Sequence, residues 1–221
     1  MQSATPVIKD LVLIGGGHSH ISVLKSFGMR PIPGVRLTLI SRDTNTPYSG
    51  MLPGLVAGHY SFAEAHIDLA PLTRFANARF LRDSVVGIDP DSRKISLKHR
   101  PPISYDLLSI NSGSTPSTDI VKGTDEFVIP VKPISEFLAH WQNLRERLAA
   151  RTGSTTISVV GGGAGSVELI LAIQHALIES EKSAEQPIRY ELLTADDDIL
   201  TTHLPAVARR FRRILGTRGI Q

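Results

Sequence analysis

The sequence predicts an α/β fold of two tandem strand–helix–strand units with parallel sheets, the first carrying a small β-meander, the second incomplete. Three observations carry this. The apolar run Leu11-Val12-Leu13-Ile14 leads straight into Gly15-Gly16-Gly17, after which apolar residues recur at helical spacing. The same pattern returns at Ile157-Ser158-Val159-Val160, followed by Gly161-Gly162-Gly163-Ala164-Gly165-Ser166 and another helical stretch. Each copy is followed, after a helix-length interval, by a further apolar strand, the arrangement of a right-handed crossover.

Taken in order, 7–14 reads as a strand. Ile21, Leu24 and Phe27 mark a helix, with Gly28 as its expected stop. Pro31-Ile32-Pro33-Gly34 forces a turn, and Val35, Leu37, Leu39 and Ile40 form the next strand. Residues 41–60 make a long connection rich in Gly and Pro, a kind that is often functional. A short helix is expected over 71–76. Strands over 85–88 and 94–97 are joined by Asp89-Pro90-Asp91-Ser92, which has hairpin chemistry. A strand over 106–110 ends at Asn111-Ser112-Gly113. Turn formers crowd 117–133, so the expected domains are 1–116 and 117–221. Phe137, Leu138, Trp141, Leu144 and Leu148 predict a helix over 134–150. A strand begins at Thr156, and its helix carries Val167, Leu169, Ile170, Leu171, Ile173, Leu177 and Ile178. The polar stretch 179–186 reads as a loop, 190–193 as a strand and 204–215 as a helix. Gly219-Ile220 looks like the turn into another strand, so a fragment or a short product of a longer protein is expected.

Composition narrows the function classes. With 41% hydrophobic and 20% charged residues, the chain has the make-up of an ordinary soluble protein. A net charge of +3 does not call for nucleic acid. The basic run Arg209-Arg210-Phe211-Arg212-Arg213 interleaves with Leu204, Val207, Ala208 and Leu215, so it reads as the wet face of an amphipathic helix. The chain has no cysteine, which excludes disulfides, thiolate metal sites and redox dithiols within it. No run approaches membrane-spanning length, and Met1-Gln2-Ser3-Ala4-Thr5-Pro6 lacks the build of a signal peptide. A cytoplasmic location follows, with peripheral attachment at the inner face of a membrane left open.

The glycine loops point to pyrophosphate. Glycines allow close backbone approach, and the N–H groups at a helix N-terminus attract the anion. In the first copy Gly15 and Gly17, with Gly16 between them, fit the motif and lead into His18 and Ser19. The third glycine position falls on His20, which implies a displaced helix or a side chain pointing outward. In the second copy Gly161 and Gly163 fit, Gly162 lies between them, Ala164 and Gly165 follow, and the third position falls on the small Ser166. An acidic residue at the tip of the following strand usually binds ribose hydroxyls. The first tip reads Ser41-Arg42-Asp43, offering Asp43 or, more weakly, Ser41. The second reads Thr194-Ala195-Asp196-Asp197-Asp198, where the aspartates, Asp196 foremost, would repel a 2′-phosphate and favour NADH over NADPH. Glu168 has two readings, complementing the helix dipole or reaching a nicotinamide. His18, His20, His59 and His66 do not make a metal site, because no carboxylate cluster completes one. His18 and His20 are left to donate to a phosphate or to face solvent.

With these residues in view the chain resembles the two-dinucleotide flavoproteins, the pyridine nucleotide–disulfide oxidoreductase superfamily, and within it the type II NADH dehydrogenase-like branch. The resemblance implies tandem Rossmann-like domains with FAD on the first loop and NAD(P)H on the second, Glu168 included. Tyr105 to Pro116 is similar to the second FAD signature, with Asn111-Ser112-Gly113 where Ala-Thr-Gly is usual, which adds Ser112 and Gly113 to the flavin site. Val121-Lys122-Gly123 resembles the Ile-Pro-Gly that follows. Gly15 to His20 together with Thr46 to Gly54 resembles the flavoprotein module often joined to selenide, water dikinase. By that likeness Pro47, Tyr48, Ser49, Gly50 and Met51 lie beside the flavin ring. The last FAD motif of these proteins falls beyond Gln221. The implied activity is hydride transfer from NAD(P)H to FAD and on to a quinone or another small acceptor, with a fused or partner selenide, water dikinase domain. A flavin monooxygenase, an NADP-linked reductase and a non-catalytic nucleotide-binding module are the alternatives.

Overall fold

A computed structural model describes residues 6–115, 128–150, 153–181 and 187–221. By packing the chain divides into two compact units, Met1–Thr46 with His66–Thr115, and Pro47–Ala65 with Pro116–Gln221.

In the first unit β1 (Lys9–Ile14) runs through a glycine turn into α1 (His18–Met29) and back as β2 (Val35–Ser41). The short pair β3 (Asn45–Pro47) and β4 (His66–Asp68) brackets a long excursion that holds α2 (Leu52–Val56) and α3 (Phe62–Ala65). Then come α4 (Leu69–Phe75), β5 (Arg79–Arg82), the meander β6 (Val85–Asp89), β7 (Lys94–Leu97) and β8 (Ile103–Ser104), and finally β9 (Leu107–Ile110). The main sheet is ordered β5-β2-β1-β9 and is parallel throughout. Successive side chains on a strand point to opposite faces. Leu13 and Leu39 therefore pack with Leu24, Leu37, Leu69 and Ala76 on the helix side, while Val12 and Ile40 pack with Ile95 and Leu97 on the meander side. Burial on both faces is why β1 reads as a continuous apolar run from Leu11 to Ile14. Asp106 stitches the edge strand in place, since its carboxylate accepts the Asp10 N–H at 2.7 Å and its own N–H donates to the Asp10 carbonyl at 2.9 Å. The hairpin chemistry expected at Asp89 is present, its carboxylate accepting the N–H groups of Asp91 and Ser92 at 3.0 and 3.1 Å.

In the second unit α5 (Ile134–Ala149) precedes β10 (Thr155–Val160), α6 (Ala164–Glu181), β11 (Ile188–Leu193) and α7 (Pro205–Thr217). The strands β10 and β11 pair in parallel from Thr155↔Ile188 to Val160↔Leu193. The core gathers Ile134, Phe137, Trp141 and Leu148 of α5 with Val167, Ile170 and Leu177 of α6 and Ala208 and Leu215 of α7. Leu52 and Val56 of α2 join the same cluster. The turn expected at Gly219 is there, and Gln221 donates to the Tyr190 carbonyl at 3.0 Å and accepts the Leu192 N–H at 2.7 Å.

Several expectations are corrected. Gly28 does not stop α1, which runs on to Met29. A side chain there would strike the Phe75 ring, so this glycine serves close helix packing. The long connection expected over 41–60 is present and carries short elements of its own, β3, a 3-10 turn at Ser49–Met51 and α2. The sequence gives no warning of β5, whose Arg-Phe-Leu-Arg is too short to show a period. The loop expected at 179–186 is not found over 179–181, where α6 continues to Glu181, and 182–186 lie outside the described residues. Most of the expected boundary at 117–133, with Val121-Lys122-Gly123, also lies outside them.

Candidate functional site

The first glycine loop is built against the end of β9. Gly15 sits at φ +93° and its N–H donates to the Ile40 carbonyl at 2.8 Å. A methyl group at Gly15 would run into the Asn111 carbonyl, and one at Gly17 into the Asn111 side chain. One at Gly16 would lie 2.5 Å from Leu69 Cδ1. The glycines are thus required first by internal packing, with Asn111 itself held by its N–H on the Ile14 carbonyl at 2.8 Å. Gly17 caps α1, accepting the N–H groups of His20 and Ile21 at 2.9 and 3.1 Å. No side chain caps this end and no acid lies in the first turn. Among the described residues the N–H groups of Gly16, Gly17 and Ser19 donate to no protein acceptor, which leaves them for an anion.

His18 and Ser19 are exposed in that first turn. His20 is not. Its side chain turns inward, 1% exposed, with Nδ1 2.7 Å from the Gly15 carbonyl and Nε2 2.9 Å from Ser109 Oγ. The outward orientation expected for it is therefore wrong, because the ring finds both polar partners it needs inside the fold. The available signal was Ser109, a hydroxyl placed within the apolar strand Leu107-Leu108-Ser109-Ile110.

At the β2 tip Ser41 is half-buried and its Oγ faces Gly16, whereas Arg42 and Asp43 are exposed. Ser112 and Gly113 follow Asn111, exposed, with Gly113 at φ +75°. Pro47 to Met51 belong to the second unit. There the Tyr48 N–H donates to the Ala65 carbonyl and the Met51 N–H to the Tyr48 carbonyl, both at 2.9 Å. Tyr48, Ser49 and Gly50 are exposed, while Pro47 and Met51 are half-buried.

The second loop is anchored differently. The Gly161 N–H donates to the Leu193 carbonyl and the Gly162 carbonyl accepts the Leu200 N–H, both at 2.7 Å. Gly162 lies against Thr194, with Oγ1 2.5 Å from where its Cβ would be. Ser166 folds back on Gly161, and its hydroxyl reaches the Val160 carbonyl at 3.5 Å. Gly163 and Gly165 face open space. The N–H groups of Gly163, Ala164 and Gly165 have no protein acceptor among the described residues.

Glu168 is the fifth residue of α6, and no acid lies in that helix's first turn. Dipole effects fade beyond the first turn, so complementing the dipole is a poor account of this residue. It is exposed and lines a cavity of about 180 Å³ with Ala164, Val167, Leu200, His203, Val207 and Phe211. His203 was not singled out from the sequence, since its neighbours offered no motif. Of the aspartates beyond β11, Asp198 pairs with Arg212 at 3.2 Å. Asp196 is exposed, held by its N–H on Thr194 Oγ1 at 3.2 Å. The rings of His59 and His175 stand 5.0 Å apart, yet among the described residues no three His, Cys, Asp or Glu side chains gather as a metal site would need. Among the same residues no helix is long and apolar enough to cross a membrane.

Comparison with known proteins adds to this geometry. The model of the pyridine nucleotide-disulphide oxidoreductase family matches residues 9–221. A sulfide-quinone reductase of Aquifex aeolicus is 33% identical over 109 residues, 48% of this chain and 24% of that protein. Among solved structures, the sulfide:quinone oxidoreductase of Aquifex aeolicus superposes with a TM-score of 0.74 at 23% identity, covering 97% of this chain and 50% of the other. NDH2 from Plasmodium falciparum in complex with NADH gives 0.80 at 18% identity, over 96% of this chain and 47% of that one. Water-forming NADH oxidase from Lactobacillus brevis bound to NADH gives 0.71 at 18%, over 97% and 46%. At these identities the structural likeness is one of fold, and the chain spans only about half the length of these structures.

Proposed function

We propose an activity from one premise: the chain belongs to the pyridine nucleotide-disulphide oxidoreductase family. It is read as the part of an FAD-dependent NAD(P)H oxidoreductase that carries both pyrophosphate loops, 1–116 serving FAD and 117–221 serving the nicotinamide nucleotide. The carrying observation is that both strand-to-helix glycine turns present N–H groups that meet no protein acceptor among the described residues, with no acid in the first helical turn. Such ends fit pyrophosphate.

On this reading the N–H groups of Gly16, Gly17 and Ser19 hold the FAD pyrophosphate, with His18 beside them. Ser41, half-buried against Gly16, meets the ribose, with Arg42 and Asp43 at the rim. Pro47, Tyr48, Ser49, Gly50, Met51, Ser112 and Gly113 are assigned to the flavin by the sequence resemblance. Bound FAD supplies the two-electron chemistry between nicotinamide and acceptor. The second loop offers the N–H groups of Gly163, Ala164 and Gly165 to the donor's pyrophosphate, while Gly161, Gly162 and Ser166 shape the turn. In the cavity beside it, Glu168 accepts from a carboxamide N–H over a mostly apolar floor. Asp196 and Asp197 have no cation paired with them among the described residues, which favours NADH over NADPH.

The acceptor is proposed to be a small molecule of the quinone class, the class in the name of the sulfide-quinone reductase relative. The chain has no cysteine pair to relay electrons itself. A partnership with selenide, water dikinase rests on Gly15 to His20 and Thr46 to Gly54, and a cytoplasmic location with peripheral membrane contact is part of the same proposal. The test is direct. The purified chain is titrated with FAD and then given NADH without oxygen. Retained flavin absorbance that bleaches with NADH supports the reading. Failure to bind FAD overturns it, and bound FAD that neither NADH nor NADPH bleaches reduces the chain to a nucleotide-binding module.

A further inference from the structure

His20 stands where these glycine loops usually carry Gly or Ala for close helix–strand packing. Here an imidazole fills that space, and neither ring nitrogen is idle. A carbonyl oxygen can only accept, so Nδ1 must carry the proton it gives to Gly15. In the neutral ring Nε2 then accepts from the Ser109 hydroxyl. A trans peptide is planar, and its C=O and N–H point in opposite directions. Holding the Gly15 carbonyl against His20 therefore aims the Gly16 N–H the other way, and that N–H has no protein acceptor among the described residues.

A Gly-Gly peptide is the one most easily rotated, because neither residue has a Cβ to resist. Rotated, it would turn a carbonyl oxygen towards a phosphate. We propose that His20 is a positioning residue that locks the Gly15–Gly16 peptide, keeping the Gly16 N–H presented to a phosphate oxygen of a dinucleotide, with Ser109 holding the ring in register. This rests on reading the first loop as the FAD pyrophosphate site. The role is distinct from core filling, since it needs a donor at the Nδ1 position and not merely volume.

The test separates these roles with three substitutions in the full chain. His20→Asn keeps a donor near the Nδ1 position, His20→Gln extends its amide towards Ser109 instead, and His20→Leu keeps only bulk. FAD affinity is expected to fall least in His20→Asn, and by roughly tenfold to a hundredfold in His20→Gln and His20→Leu, the usual reach of one lost hydrogen bond to a charged-ligand site. If affinity instead follows thermal stability across the three, or His20→Leu binds as well as His20→Asn, the lock is refuted. Imidazole nitrogen NMR of the ligand-free chain decides the matter without flavin. The Nδ1–H form with a coupling across to the Gly15 carbonyl supports the proposal, and an Nε2–H ring overturns it. Should the parent chain bind no FAD, the functional reading fails while the NMR result still settles the role of His20.

Discussion

Replacing Gly15 by alanine tests the idea that the first loop is shaped by internal packing. Gly15 lies at φ +93°, beyond even the left-handed region that L-residues tolerate. Forcing a Cβ into that backbone costs about 1–2 kcal/mol. The added methyl would also meet the Asn111 carbonyl, a backbone atom that cannot swing aside as a flexible side chain would. The end of β9 must then retreat, loosening the Asn111 N–H bond to the Ile14 carbonyl, worth about 1 kcal/mol. Together the change should destabilise the chain by about 2–3 kcal/mol, a fall in melting temperature on the order of 10 °C. Gly163→Ala is the contrasting case, for its methyl meets open space and only the weaker helix-capping preference is lost, less than about 1 kcal/mol. Its cost should appear in NADH affinity. Thermal unfolding followed by circular dichroism reads both. A Gly15→Ala protein melting within about 2 °C of the parent would show that the loop is not clamped by β9.

Other outcomes follow from the same structure. Burial alone would push the Asp83 carboxyl up, but the Ser84 N–H, the His99 ring and N–H and the Arg100 guanidinium outweigh it and hold the group below the usual carboxylate range. A lowered folded value means that its stabilisation is present above the unfolded value and is lost as pH falls through the folded one. Asp83→Asn should therefore melt earlier than the parent at neutral pH, with the gap closing below about pH 4; a gap independent of pH would contradict this. Glu168→Gln should weaken NADH-driven flavin reduction while leaving FAD affinity and melting temperature near those of the parent, so equal reduction rates would remove Glu168 from the donor site. Asp196→Lys should shift the preference from NADH towards NADPH, read as the ratio of reduction rates with the two donors, and an unchanged ratio would assign discrimination elsewhere.

Much of the fold was legible because its signals are local. The two glycine turns sit between an apolar strand and a helical period, and the Asp89 hairpin carries its own turn chemistry within four residues, Asp89 to Ser92. What escaped was short or conditional on distant partners. Arg79–Arg82 is a strand because β2 offers an edge from Thr38 to Ser41, not because its four residues show a period. His203 entered the candidate site only when α6 and α7 packed to form a cavity.

The pattern of strand, glycine turn and helix is settled by residues adjacent in the chain, and with it the two glycine loops and the parallel pairing of β1 with β2 and β10 with β11. Which way a side chain on those loops points is another matter. His20 reads as a flaw in the glycine motif until β9 brings Ser109, 89 residues away, against its ring. Gly15 and Gly17 read as space for a ligand until Asn111 is found filling it. The stretch from Pro47 to Ala65 interrupts the first unit in sequence yet buries Leu52 and Val56 with α6 in the second. A buried polar ring needs hydrogen-bond partners and an apolar helix needs a surface to cover it. Where those come from far along the chain, only the folded arrangement decides.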